Sequence, residues 1–139
     1  GQRHAIVVDT SKSTLYVFEN HNGEPRYVAD YYTTIGKNGT ETRDIGRRWI
    51  DAGYRAVKFG WEPMGQSEAL DIELVRGARA GLGDDSTLLI DAGCVWDTRT
   101  ALQRAHAFAE FRPGWLEEPL REDNVEGYAW LRAPKNQGV

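Results

Sequence analysis

Three short apolar runs, each holding a charged side chain near its carboxyl end and each followed by a helical segment, constrain this chain most. Tyr54-Arg55-Ala56-Val57-Lys58-Phe59-Gly60 reads as a strand, and Glu68 to Ala80 as a helix with Leu70, Leu74, Val75 and Ala78 on one side. Thr87-Leu88-Leu89-Ile90-Asp91 is nearly all apolar, as expected of a strand covered on both faces. A helix from Thr98 to Phe111, capped by Asp97 or Thr98, follows it. Trp115-Leu116-Glu117-Glu118 is a third short strand, and Asn124 to Leu131 a last short helix. Ahead of all three, from Thr42, Ile45, Trp49 and Ile50 recur at helical spacing, and Gly53 is placed to end that helix. Strands joined through helices run parallel, with right-handed crossovers. Their carboxyl ends therefore point one way, and ligands of such sheets gather at that edge. Lys58, Asp91 and Glu117 all stand there.

The first forty residues have a different texture. Ala5-Ile6-Val7-Val8-Asp9 is a short β-rich run, and Thr14-Leu15-Tyr16-Val17-Phe18-Glu19 alternates with the period of a strand. Asn22-Gly23 signals a hairpin, and Tyr27 to Ile35 is the return strand, closed by Gly36-Lys37-Asn38-Gly39. The expected fold class is α/β: a partial (β/α) barrel of three parallel βα units over residues 41–139, preceded by a short antiparallel β meander over residues 1–40.

The 139 residues suit one ordinary domain or two very small ones. A formal charge of −4 gives no basic field for nucleic acid or anionic lipid, so neither is an expected partner. No window approaches the roughly 20 apolar residues that cross a bilayer. The one cysteine, Cys94, excludes an internal disulfide framework, and with no signal-like leader a cytoplasmic location is expected. Asn38-Gly39-Thr40 fits a glycosylation pattern but reads better as a turn. Of the dispersed tryptophans, Trp49 and Trp115 are expected in cores, and Trp61 and Trp96 at strand ends.

Mg²⁺ takes hard oxygen ligands, usually one or two carboxylates completed by water and substrate oxygens. Carboxylates leaving adjacent parallel strands can converge on such an ion. Either acid alone could instead open a solvated loop or cap the next helix, but an apolar strand ending in a charge must solvate, pair or coordinate it.

Asp51-Ala52-Gly53-Tyr54-Arg55-Ala56-Val57-Lys58-Phe59-Gly60-Trp61 resembles the second barrel strand of the mandelate racemase/muconate lactonizing enzyme family of the enolase superfamily. Leu89-Ile90-Asp91-Ala92-Gly93 resembles its third strand and Trp115-Leu116-Glu117-Glu118-Pro119 its fourth, across about residues 42–133. The resemblance implies Mg²⁺ held by Asp91 and Glu117, with the ion stabilising the enediolate left when a proton α to a carboxylate is removed. Lys58 matches the first lysine of the family's Lys-x-Lys, so it would hold or polarise the carboxylate of a small hydroxy-acid or sugar-acid substrate. The second lysine, often a base, is Gly60 here, and Gly93 replaces a polar residue that often follows the third-strand acid.

The family's third metal ligand and further acid/base residues lie on later strands, so this chain alone is expected to turn over negligibly. None of His4, His21 and His106 lies in the context of the family's histidine base; His106 reads as a helix-surface residue. The front segment resembles the opening strands of an L,D-transpeptidase catalytic domain, a family that crosslinks peptidoglycan through a Ser-His-Gly-Cys-type motif. That motif is absent, and Cys94 has an acid rather than a base nearby, so no nucleophilic role is expected. The alternative functions are thus a recombined, non-catalytic scaffold or a transpeptidase-related cell-wall protein without its catalytic cysteine. Three parallel strands cannot close a barrel, and open edges invite pairing, so either a homodimer or an open sheet whose N-terminal strands cover one edge is expected.

Overall fold

The computed structural model describes residues 4–9, 14–34, 37–60 and 63–133. The front segment is an antiparallel meander of β1 (His4–Asp9), β2 (Thr14–His21) and β3 (Glu24–Thr34). Asn22 and Gly23 both take positive φ, 57° and 94°, the pairing that a tight two-residue hairpin needs. The Asn20 side chain accepts the Gly23 N–H at 2.8 Å and ties the turn. Ile35, at the end of the expected return strand, lies outside the described residues.

Three parallel strands follow, β4 (Ala56–Gly60), β5 (Thr87–Asp91) and β6 (Trp115–Glu117). They alternate with α2 (Glu68–Leu82), α3 (Thr98–Phe108) and α4 (Val125–Leu131), and α1 (Gly39–Asp51) precedes β4. The α/β architecture is that of a partial barrel. Tyr32–Thr34 of β3 also pair in parallel with Val57–Phe59, so all six strands form one sheet in the order β1-β2-β3-β4-β5-β6. Hydrogen bonding thus runs unbroken from the meander into the parallel units.

Local chemistry sets the helix ends. Asn38 accepts the Glu41 N–H at 2.9 Å, which starts α1 at Gly39 rather than Thr42. Asp97, not Thr98, caps α3, through the Thr100 N–H at 2.8 Å. Gly53 follows α1 at φ 96°, as a residue just past a helix end should. The helix expected to reach Phe111 stops at Phe108 and tightens into a 3-10 turn, Ala109–Phe111, before Arg112 turns left-handed at φ 51°. Arg79 braces this region, donating to the carbonyls of Gly83, Ser86, Phe111 and Arg112 at 2.8–3.0 Å.

Alternation along the strands divides the sheet's faces. Val57, Phe59, Leu88 and Ile90 point to the helices and share one core with Leu74, Val75, Ala78, Ala101 and Phe108. Lys58, Leu89, Asp91, Trp115 and Glu117 lie on the other face, which would line a barrel. Trp115 is correspondingly 45% exposed rather than core, because it sits on that inner face of the edge strand. Trp96 is buried against Phe108, with ring centroids 6.0 Å apart. Trp61 lies outside the described residues.

Candidate metal centre

Strand register brings the charged residues together. Gly60, Asp91 and Glu117 are direct partners across β4, β5 and β6, so the two acids leave neighbouring strands at one level and toward one face. Lys58 starts two residues deeper on that face, about 7 Å below at the rise of a strand. Its four-carbon stem spans the difference. The ammonium Nζ arrives between the acids, 3.0 Å from Asp91 Oδ2 and 3.0 Å from Glu117 Oε2. Lys58 and Asp91 are almost wholly covered, and Glu117 keeps about a third of its side chain in solvent.

Burial alone would lower the Lys58 pKa, but the hydrogen bonds to Glu117 and Asp91 and the charges of both outweigh it, and the value is raised. A lysine held charged in this way is a poor proton acceptor near neutrality. It suits binding an anion instead.

Two glycines shape the rim. A Cβ at Gly60 would lie 2.2 Å from the Asp91 carbonyl oxygen and 2.5 Å from Asp91 Cβ. There is neither a base at this position nor room for one. Gly93, at φ 63°, turns the chain back so that its N–H donates to Asp91 Oδ1 at 3.1 Å. A main-chain donor thus orients the acid where a polar side chain could have stood. Cys94 and Glu118 take the left-handed conformation at φ 64° and 44° as the two loops leave the rim, joined by Cys94 N–H to Glu118 O at 2.7 Å. Burial, followed by the charges of Glu118, Glu122 and Asp91, pushes the Cys94 thiol up, the opposite of what a nucleophile needs.

Sequence reasoning missed a second charged group behind the rim. Asp71 of α2 is fully buried, accepting Arg104 Nε of α3 at 2.8 Å and the Gly65 N–H at 2.7 Å. Arg104 Nη1 lies 3.3 Å from Glu68 Oε2 but makes no well-aligned hydrogen bond. The cluster ties the loop after β4 to two helices. Its signal was present: Asp71 falls on the stripe of Leu74, Val75 and Ala78, and Arg104 on that of Ala101 and Phe108.

His106, on α3, and His21, at the end of β2, are both exposed. Among the described residues no three His, Cys, Asp or Glu side chains gather closely enough to hold a metal. A cationic nitrogen nonetheless fills the point on which Asp91 and Glu117 converge, and two carboxylates completed by water are a donor set that Mg²⁺ accepts. Asp91 and Glu117 thus offer two ligands of the kind the ion takes, a weak set without a third.

Parallel βα units with carboxylates leaving the same rim define a partial α/β barrel, an architecture whose ligands gather at the strand ends. The chain belongs to the enolase C-terminal domain-like family, whose sequence model matches residues 41–139. It is similar to L-talarate/galactarate dehydratase of Salmonella typhimurium, 38% identical over 65 residues, 47% of this chain and 16% of that protein. Mitochondrial enolase superfamily member 1 of Xenopus laevis is 31% identical over 142 aligned positions, 94% of this chain and 32% of that protein. Among solved structures, a predicted mandelate racemase from Rhodobacter sphaeroides superposes with a TM-score of 0.72 at 32% identity, covering 75% of this chain and 28% of that one. A racemase from Streptomyces coelicolor with bound magnesium gives 0.62 at 27%, covering 71% and 30%. The chain therefore spans a third or less of these proteins. At 94% coverage the frog alignment takes in most of the front segment, and nothing in the comparisons supports its likeness to an L,D-transpeptidase.

Proposed function

We propose that Asp91 and Glu117 are metal ligands of an enolase-superfamily acid-sugar dehydratase or racemase, an enzyme that removes a proton α to a carboxylate. The observation that carries this reading is the meeting of both acids on one cationic atom, Lys58 Nζ, at 3.0 Å each. The dehydratase relative supports the reaction class, and the magnesium-bound racemase supports the choice of ion. When bound, Mg²⁺ would stabilise negative charge on the substrate's carboxylate oxygens. Asp91 and Glu117 would hold it, and Lys58 would bind the carboxylate of a small hydroxy acid or sugar acid through charge-assisted hydrogen bonds.

Gly60 has no side chain and Lys58 is held charged by the two acids, so neither strand-two position supplies a base. The chain by itself is therefore expected to turn over substrate negligibly. The net charge of −4 supports a small-molecule substrate over nucleic acid or membrane, and the single cysteine supports the cytoplasm as its compartment. No described helix is long and apolar enough to cross a membrane.

Calorimetric titration with MgCl₂ tests the ligand assignment. Asp91→Asn combined with Glu117→Gln is expected to abolish the binding seen with the parent chain. Equal heats from both proteins would remove the metal claim. Among the described residues no further strand pairs with β6, and Trp115 on it is exposed, which favours pairing between two copies. Light scattering after size exclusion is expected to give twice the 15.7 kDa chain mass, and a monomer throughout would count against the dimer.

A further inference from the structure

We infer that Lys58 is a built-in counter-cation that occupies the metal position in the metal-free chain and must move aside before a divalent ion can bind. The inference rests on the metal reading above and goes beyond it.

The ammonium holds one oxygen of each acid, the same oxygens a bridging ion would need. Asp91 has one oxygen tied to the Gly93 N–H, and its other oxygen, Oδ2, faces Nζ. Glu117 presents Oε2 to the same nitrogen. An ion taking both Oδ2 and Oε2 would compete with Nζ for the same two oxygens and stand close to it, where two positive charges repel even at a high effective dielectric. Without any cation, two carboxylates leaving adjacent strands at one level would repel each other, and one of them is buried. Lys58 removes that cost.

The side chain can also leave. It is anchored two residues below the rim, and a flexible stem lets the ammonium swing while its base stays packed. Displaced by a metal, the ammonium is freed for the substrate carboxylate. Ion binding would thus prepare the anion site, coupling the two events through one side chain.

Mn²⁺ is the probe, titrated into the full chain and read as free Mn²⁺ by electron paramagnetic resonance. Lys58→Met is expected to bind Mn²⁺ roughly tenfold or more tightly than the parent, because the competing charge is gone. Lys58→Arg, which keeps the charge, should show no gain. Adding Asp91→Asn and Glu117→Gln to Lys58→Met should abolish the tight binding. In metal-free buffer Lys58→Met should melt below the parent, and Mn²⁺ should restore its melting temperature. If Lys58→Met does not fold, Lys58→Gln replaces it with the same expectations.

Binding by the neutral variant equal to or weaker than the parent's, or absent in both, overturns the inference. The metal reading fails separately, when the parent and its Asp91→Asn/Glu117→Gln variant bind Mn²⁺ alike.

Discussion

Replacing Arg104 with methionine is expected to destabilise the fold by about 3–5 kcal/mol, because it strands the Asp71 carboxylate inside the protein. Asp71 has no exposed surface, and its two strong contacts are Arg104 Nε at 2.8 Å and the Gly65 N–H at 2.7 Å. Removing the guanidinium leaves a buried charge with one main-chain donor. Water cannot reach it without opening the contact between α2 and α3. A loss of this size is a large part of the stability of any single domain.

Removing both partners separates charge from packing. Asp71→Leu with Arg104→Met should recover most of the loss, since a well-packed apolar pair often replaces a buried ion pair without cost. Recovery will be incomplete because the Gly65 N–H loses its acceptor. Urea denaturation followed by circular dichroism reads both values. A single-variant loss below about 1 kcal/mol would show that the pair contributes no more than an exposed one.

These charged contacts show where the sequence was legible and where it was not. The parallel strands could be read because an apolar run bounded by helices has few other solutions, and Thr87–Asp91 has the bounds expected. Asp91 and Glu117 stood out because each closes such a run. The Lys58 bridge was hidden. It depends on register between β4 and β5, which places Lys58 beside Leu89 rather than beside Asp91, and on a stem long enough to climb two residues.

The strand switch in β3 was hidden for another reason. Tyr31 to Thr34 continue the preceding β run without a glycine or proline to mark the place where a parallel neighbour begins. Asp71 and Arg104 were different again. Each lies on the apolar stripe of its helix, and opposite charges on the buried stripes of successive helices could have been paired from spacing alone. Gly60 looked like a lost catalytic residue, yet the Asp91 backbone beside it shows that the position has no space for a side chain.

Gly77→Ala should destabilise the protein by about 2 kcal/mol, and with Gly81→Ala by more, although alanine is the better helix former. Both glycines lie inside α2, four residues apart, where each would ordinarily cost about 1 kcal/mol relative to alanine. That cost is accepted because α1 crosses at very short range. A Cβ at Gly77 would lie 2.1 Å from the Gly39 carbonyl oxygen, and one at Gly81 would lie 2.2 Å from that of Arg43. These neighbours are main chain, so no rotamer change relieves them. The whole of α1 would have to lift from α2, taking Ile45 out of the core. Gly46, on the α1 side of the same crossing, is the control. Its Cβ would meet Gly81 and Phe59 at 3.4 Å, an ordinary contact, so Gly46→Ala should be neutral or up to about 1 kcal/mol stabilising. Thermal melts of the three variants distinguish close packing from propensity. If Gly77→Ala raises the midpoint as Gly46→Ala does, the helices are not held at this distance.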